Sequence, residues 1–214
     1  MVDFQSRDTS RGYGDDDDEG SAETESSAAE EQTPEESADG SVEAAETGSE
    51  EGAEFGPGTL PFAVVTVGNG ESIDADATGG AVVDAIEQAG EAVSTRELIA
   101  AEYDGVQSTV STLAGRDDVA AVVTLGGVGV SPTDVTVDAA EPLFDKQLPG
   151  FGELYRVLSH DFDGTAVVRT RVTAGIVDGV PVFCLPADAA GARRGVEQIV
   201  LEEVESIVEE ATAE

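Results

Sequence analysis

Acidic residues dominate this chain of 214 residues: 46 are Asp or Glu and only 10 are Lys or Arg, which gives a formal charge of −36. Without a basic face the chain cannot neutralise phosphates, so its composition argues against a nucleic-acid partner and against an anionic membrane surface. Salt relieves the self-repulsion of so many charges by shortening the screening length, to about 3 Å at 1 M, and we therefore expect a halophile. The chain has no apolar run of about 18 residues and no secretory signal, which favours the cytoplasm.

The first 56 residues differ from the rest of the chain in composition. Residues 1–56 hold 19 acids and 2 bases among Ser, Thr, Gly and Ala, with almost nothing apolar to bury. Because such a segment cannot offset its chain entropy, we expect a disordered acidic arm. Residues 57–214 are long enough for one domain with its own core.

The first half of that domain alternates between strand and helix patterns. Short β-branched runs predict strands, and apolar residues at helical spacing predict helices between them. The predicted elements are a strand at 62–67, a helix at 78–90, a strand at 91–100, a helix at 104–115 and a strand at 119–125. Strands that alternate with helices over short connections predict a parallel sheet covered on both faces, an α/β fold.

The second half continues this plan with three helices and a hairpin. The patterns predict helices at 134–147, 149–160 and 188–211, and a hairpin at 174–186 around Asp178 and Gly179. Arg169 and Arg171 lie two residues apart before the hairpin, so we expect them on one face of a strand. There they would either offset an acidic site or pair across a subunit interface, and the interface is slightly favoured.

The run "TLGGVGVSPTDVT" (124–136) directly follows the third predicted strand. Ligands bind at the carboxyl ends of such strands, and glycines let backbone N–H groups approach an anion there. Neither G-x-G-x-x-G nor G-x-x-x-x-G-K-[ST] is present, so the glycines are also compatible with a simple tight turn. Asp134 is equally open to two interpretations, since an acid at this position is a good N-cap for the helix predicted to follow.

The order of motifs between about residues 61 and 210 resembles the MoaB/Mog family of molybdenum cofactor biosynthesis proteins. The run "GGVGVSPTDVTVDAAEPLF" is similar to that family's GGTG-x-x-x-x-D-x-T-x-E signature, and "LPGFGELYRVLS" follows it closely, as in the family. "DATG" (76–79) stands where the family carries a D-T-S-G turn. The hairpin "AGIVDGVPVFCLP" and a closing helix complete the order.

The resemblance implies a three-layer α/β/α fold with a mostly parallel sheet, molybdopterin as ligand, and a homotrimer or homohexamer. Active members of the family transfer AMP from ATP to the terminal phosphate of molybdopterin with Mg²⁺. On this basis Asp134 is expected to be catalytic and to hold the metal. The expected ligand-binding residues are Gly126, Gly127, Val128, Gly129, Asp76, Gly79, Glu153 and Pro186.

Departures from the family pattern leave two functions open. Val128 replaces the Thr of GGTG and so removes a hydroxyl that would hydrogen-bond a phosphate, and "PADA" (186–189) replaces P-G-S-P and adds Asp188. The chain is therefore expected to be either an adenylyltransferase adapted to salt or a non-catalytic relative. The second would bind a pterin or nucleotide weakly, or serve as an oligomeric interaction protein.

Overall fold

The computed structural model describes residues 56, 58–68, 70 and 72–213. The predicted acidic arm, residues 1–56, lies outside the described residues apart from Gly56. The described strands are β1 (Pro61–Val67), β2 (Ala92–Ile99), β3 (Ala121–Leu125), β4 (Lys146–Gln147), β5 (Thr173–Val177) and β6 (Val180–Leu185).

These strands form one mixed sheet in the order β2-β1-β3-β6-β5-β4. Strand β1 pairs in parallel with β2 and β3, and β3 pairs in parallel with β6. Strand β5 is antiparallel to both of its neighbours, β4 and β6. The sheet is therefore mostly parallel, as predicted, with an antiparallel strand near one edge.

Helices cover the sheet in two groups. They are α1 (Ala77–Gln88), α2 (Tyr103–Ala114), α3 (Thr136–Ala140), α4 (Pro149–Asp163), α5 (Ala189–Gly195) and α6 (Leu201–Thr212), and a π-helical segment (Val196–Val200) joins the last two. Helix α1 packs against α5, β1 and β2, whereas α2 packs against α3, β3 and β6. This is the predicted three-layer arrangement.

The core consists largely of valine and alanine side chains. Strand β3 is buried along its whole length, and residues Phe62 to Val65 of β1 are equally inaccessible. Strands buried on both faces need continuous apolar runs, which explains why "FAVV" and "AVVTL" do not alternate with polar residues. The predicted closing helix also belongs to this core, since it buries Val196, Val200 and Val204.

The helix predicted at 134–147 is wrong for most of its length. The chain forms only the short α3, then a 3-10 turn (Glu141–Leu143) and β4. Pro142 lacks an N–H and so cannot continue the hydrogen bonding of an α-helix. Beyond it, the Asp145 and Leu148 amides donate to the carbonyls of Ile176 (2.8 Å) and Ala174 (2.8 Å), which adds β4 to the sheet beside β5.

The predicted hairpin is confirmed, whereas the prediction that Arg169 and Arg171 lie on one face of a strand is wrong. Asp178 and Gly179 connect β5 and β6 with φ angles of 49° and 86°, as a two-residue hairpin turn requires. Arg169 ends a 3-10 turn (Gly164–Arg169) and Arg171 follows it in a loop, so the two side chains do not share a strand face. Within the described residues, no helix is both long and apolar enough to cross a membrane.

Candidate functional site

The four parallel strands, β1, β2, β3 and β6, end at one edge of the sheet, which we call the carboxyl edge. The chain passes from β1 to β2 on one side and then crosses back to β3 on the other, so the strand order reverses at β1 and β3. A crevice opens at such a reversal, and open α/β sheets bind ligands there. Beside it lie the connection from β1 to α1, the glycine loop (residues 126–134) after β3, and the turn that follows β6.

The first two residues of the glycine loop have backbone conformations that only glycine adopts easily. Gly126 and Gly127 have φ angles of 104° and 67°. A Cβ on Gly126 would lie 2.5 Å from the carbonyl oxygen of Val67, and one on Gly127 would collide with the hydroxyl of Thr136. The Gly126 amide donates to the carbonyl of Leu185 (2.9 Å) at the end of β6, so this N–H continues the pairing of β3 with β6 and is not free to bind an anion.

Arg171 holds the other half of the glycine loop. Its Nε donates to the carbonyl of Gly129 (2.6 Å) and its Nη2 to the carbonyl of Asp134 (2.6 Å). The Arg171 amide donates to the carbonyl of Val128 (2.7 Å). The guanidinium also pairs with the Asp138 carboxylate at 3.0–3.1 Å, which lowers the pKa of Asp138 and raises that of Arg171.

Asp134 ends the glycine loop and is not a helix cap. The N-cap of α3 is Val135, and no side chain caps this helix. The Asp134 carboxylate instead accepts a hydrogen bond from the Ser131 amide (2.7 Å), which closes a turn inside the loop. A Cβ on Gly129 would lie 2.5 Å from Oδ2 of Asp134, so the carboxylate needs a glycine at that position.

A cleft of about 440 Å³, which we call the main cleft, lies beside this loop. The residues that line it are Gly129, Val130, Ser131, Asp134, Tyr155, Asp163, Ala166, Val167, Arg169, Thr170, Pro186 and Asp188. Three of the predicted site residues are therefore brought together here, namely Gly129, Asp134 and Pro186. The predicted residue Glu153 lines a neighbouring cleft of about 370 Å³, together with Asp138 and Arg171.

Val128 lies in the glycine loop, but its side chain belongs to the core. It is 4% exposed and does not line the main cleft. A threonine hydroxyl at this position would therefore face apolar neighbours. The expectation that Val128 removes a phosphate-binding hydroxyl assumes a side chain that faces the ligand. The buried position of Val128 removes the basis for that expectation.

Asp76 and Gly79 form a separate network at the end of β1. The Asp76 carboxylate, which is 7% exposed, accepts hydrogen bonds from the Gly79 amide (2.9 Å), the Thr66 hydroxyl (2.6 Å) and Arg96 Nη2 (3.2 Å). Burial on its own raises the pKa of Asp76, but the hydrogen bonds from Thr66, Gly79 and Arg96 outweigh it, so the pKa lies below its usual value. Asp76 thus caps α1, and a Cβ on Gly79 would collide with its carboxylate.

Asp188 and Tyr155 also line the main cleft, although neither is among the predicted site residues. Asp188 is the N-cap of α5 and accepts a hydrogen bond from the Gly191 amide (2.7 Å), as well as lining the cleft. Tyr155 is 2% exposed, and burial raises the pKa of its phenol. The spacing of Phe151, Tyr155 and Ser159 on α4 predicts a buried face, but not that the face reaches a cleft.

The fit of Mg²⁺ to this site depends on Asp134. Among the described residues, no group of three or more His, Cys, Asp or Glu side chains is close enough to hold a metal ion. Mg²⁺ in nucleotide sites is commonly bound by one or two carboxylates together with substrate phosphates and water. Only Ser131 donates to the Asp134 carboxylate within the described part of the chain, so this side chain has oxygen lone pairs to offer. The residues present fit a magnesium ion that arrives with a nucleotide.

A family model and curated relatives match the domain that carries this site. The family model described as "Probable molybdopterin binding domain" (MoCF_biosynth) matches residues 63–206, which include all three loops of the carboxyl edge. The chain is 32% identical over 155 residues to molybdenum cofactor biosynthesis protein B of Bacillus subtilis strain 168. That alignment covers 72% of this chain and 91% of the relative.

Solved structures give the same likeness. A crystal structure of a molybdenum cofactor biosynthesis protein B superposes with a TM-score of 0.70 at 28% identity, and covers 73% of this chain and 98% of its own. The tungsten cofactor synthesizing protein MoaB from Pyrococcus furiosus superposes with a TM-score of 0.64 at 32% identity, and covers 74% of this chain and all of its own.

Proposed function

The chain belongs to the MoCF_biosynth family of molybdopterin-binding domains, and from this premise we propose that it is a molybdopterin adenylyltransferase of molybdenum cofactor biosynthesis. In the proposed reaction an oxygen of the terminal phosphate of molybdopterin forms a bond to the α-phosphorus of ATP. The bond from that phosphorus to the bridging oxygen breaks, and pyrophosphate leaves. Such a reaction needs a site that holds two anionic substrates in line.

The observation that carries this proposal is the arrangement of Asp134 in the main cleft. Its carboxylate lies at the carboxyl edge and accepts one hydrogen bond from a described residue, and the lack of a side chain at Gly129 leaves room for it. A structural acid in such a position would be satisfied by several donors, as Asp76 is. A carboxylate that is held in place but incompletely satisfied is suited to orient a substrate or a metal.

The residues around Asp134 supply the rest of the proposed mechanism. The amides of Gly127 and Gly129, on either side of Val128, donate to no acceptor among the described residues, and free amides in a glycine-rich loop make a concave anion site. They would receive a phosphate, while Asp134 holds the magnesium ion or orients the attacking phosphate. When bound, Mg²⁺ would neutralise charge that develops on the phosphate oxygens. Tyr155 and Pro186 also line the main cleft.

A second candidate function is supported by the charge of the main cleft. Asp163 and Asp188 line it together with Asp134, whereas Arg169 is the one basic residue among the described residues that line it. Carboxylates beside a phosphate are repulsive unless a cation lies between them. This favours a non-catalytic relative that binds a pterin or nucleotide weakly, or that acts as an oligomeric interaction protein.

An AMP-transfer assay distinguishes the two candidates. The full chain is incubated with molybdopterin and Mg-ATP in several-molar KCl, and adenylylated molybdopterin and pyrophosphate are quantified with and without Mg²⁺. Equal amounts of both products, formed only with Mg²⁺, support the adenylyltransferase. Binding of molybdopterin without either product would support the non-catalytic function instead.

We further propose that the protein is cytoplasmic, adapted to high salt, and a homotrimer or homohexamer like the family that it resembles. Residues 57–214 carry 27 acids and 8 bases, so the domain is self-repelling even without the arm. Exposed apolar side chains such as Val157, Phe162 and Val168 are compatible with a subunit interface. Light scattering coupled to size exclusion, at low and at several-molar KCl, tests the salt adaptation and the oligomeric state; a stable monomer at high salt contradicts the oligomer.

A further inference from the structure

We propose that Arg171 is a positioning residue that sets the ligand-binding conformation of the glycine loop. The expected effect of Arg171 on catalysis rests on the proposed function, whereas its effect on the conformation of the glycine loop does not. Arg171 lies 37 residues after Asp134 in the chain, and it contacts the loop through both its side chain and its backbone.

Peptide geometry links Arg171 to the direction of the loop amides. Arg171 binds the carbonyls of Val128 and Gly129, at 2.7 and 2.6 Å. In a trans peptide the carbonyl and the following N–H point in opposite directions. Because Arg171 holds these two carbonyls, the amides of Gly129 and Val130 are directed to the other side of the loop. Both residues line the main cleft, so Arg171 fixes two consecutive donors for an anion.

Arg171 also contacts the backbone of Asp134. Nη2 of Arg171 donates to the carbonyl of Asp134 (2.6 Å), so the guanidinium bridges the middle and the end of the loop. A guanidinium has donors in a fixed planar fork, and a lysine ammonium at the same position has no such fork. Arg171 therefore holds the backbone that presents the Asp134 carboxylate.

The guanidinium of Arg171 is itself anchored by an acid on α3. Asp138 on α3 accepts hydrogen bonds from Nη1 and Nη2 of Arg171 at 3.0–3.1 Å. Helix α3 also binds the start of the loop, since the Thr136 amide donates to the carbonyl of Gly127 (3.1 Å). The loop is thus tied to α3 at its start directly and at its end through Arg171. This arrangement makes the conformation of the loop depend on one side chain outside it.

The test compares Arg171→Lys with a matched pair elsewhere in the domain. Arg116 and Asp118 form a similar bidentate pair at 2.8 and 2.6 Å, in the connection before β3, at the opposite end of that strand. In the full chain, Arg171→Lys should accelerate amide hydrogen exchange of residues 126–135 about tenfold or more and raise the KM for Mg-ATP about tenfold. Arg116→Lys should change neither quantity. Asp138→Asn, which leaves the bonds to the two loop carbonyls, should have a smaller effect than Arg171→Lys.

Each outcome decides the inference. If Arg171→Lys lowers the melting temperature no more than Arg116→Lys but alters loop exchange and KM, Arg171 is a positioning residue. If exchange in residues 126–135 is unchanged, the inference is overturned. If the loop exchanges faster and KM and kcat stay at wild-type values, Arg171 is only structural and the inference is again overturned. If the wild-type chain transfers no AMP, the proposed function fails, and loop exchange together with calorimetric binding of Mg-ATP decides the inference in place of KM.

Discussion

Asp76 and Asp134 both follow a parallel strand at the carboxyl edge, but their carboxylates have different surroundings. Asp76 is 7% exposed in its side chain and accepts hydrogen bonds from Thr66, Gly79 and Arg96. Asp134 lines the main cleft, and among the described residues only Ser131 donates to its carboxylate. The two acids occupy similar positions in the sequence, but their carboxylates accept different numbers of hydrogen bonds from the described residues.

This difference separates a structural acid from a candidate functional one. A carboxylate that is satisfied by three donors stabilises the fold and has little capacity left for a ligand. A carboxylate with one donor, in a cleft, contributes less to folding and keeps lone pairs for a metal or substrate. Stability and activity should therefore respond in opposite ways to substitution of the two residues.

The largest effect on stability is expected at Asp76. Asp76→Ala removes the cap of α1 and leaves Arg96 without its carboxylate, so we expect the free energy of unfolding to fall by about 3 kcal/mol. Thermal and denaturant unfolding in several-molar KCl measure this loss. Asp118→Ala is the control, because it removes a more exposed Arg–Asp pair and should cost less than about 1 kcal/mol. Equal losses in the two variants would contradict the structural role of Asp76.

The reverse pattern is expected at Asp134. Asp134→Asn keeps an oxygen that can accept from Ser131 but removes the charge, so AMP transfer should fall about 100-fold while the free energy of unfolding changes by less than about 0.5 kcal/mol. The matched control is Asp117→Asn, because Asp117 is an exposed acid that lies before β3 and is remote from the carboxyl edge. A variant that keeps full activity but unfolds more easily would show that Asp134 is a structural acid and not a functional one.

A third prediction concerns the buried side chain of Val128. Val128→Thr places a hydroxyl among apolar neighbours, so it should lower the free energy of unfolding by about 1–2 kcal/mol and leave Mg-ATP affinity within about twofold. The reciprocal control is Thr136→Val, because the Thr136 hydroxyl is buried without a hydrogen-bond partner among the described residues. That change should be neutral or stabilising. Tighter binding by Val128→Thr would instead restore the phosphate-ligand role that the sequence suggested.

A fourth and smaller effect is expected from protonation of Asp76, because it removes the charge of this side chain but keeps its carboxyl group. The pKa of Asp76 is lower in the folded chain than its unfolded value of about 3.9. Its ionised form therefore stabilises the fold above that pH, and the contribution is lost as the pH falls through the folded pKa. The stability difference between wild type and Asp76→Asn should shrink on acidification below about pH 4. A difference that does not vary with pH would contradict this assignment.

The sequence was sufficient for most of the fold because most of its elements are local. The alternation of buried runs and amphipathic helices predicted the sheet, and Asp178 and Gly179 predicted the hairpin turn. It failed at 134–147, where β4 forms only by pairing with β5, about 30 residues further along the chain. A helical spacing of apolar residues does not reveal such a non-local competitor, although Pro142 was a local indication that the helix would end.

The site was less predictable, because its geometry depends on side-chain direction and on distant partners. Motif order indicated the glycine loop and Asp134, but not that Val128 faces the core or that Glu153 lines another cleft. Arg171 was considered only as a balancing charge or an interface residue. Its contacts to Gly129 and Asp134 span 42 and 37 residues, and no local pattern predicts them.

The smallest predicted effect concerns Asp188, which combines features of both acids. Like Asp76 it caps a helix, and like Asp134 it lines the main cleft. Asp188→Asn keeps an N-cap acceptor for the Gly191 amide and removes one negative charge from the cleft, so Mg-ATP should bind about two- to fivefold more tightly. The effect should be larger at low salt than at several-molar KCl, since salt screens the repulsion.

Asp188→Ala separates charge from capping in this last comparison. It removes the same charge but also the cap, so it should tighten Mg-ATP binding as Asp188→Asn does and, unlike that variant, lower the free energy of unfolding by about 1 kcal/mol. Isothermal titration calorimetry and thermal unfolding of both variants measure the two effects. If both variants weaken binding instead, Asp188 contributes to holding the magnesium ion. It would then belong with Asp134 as a functional acid, which agrees with the single donor that each of these two carboxylates has bound among the described residues.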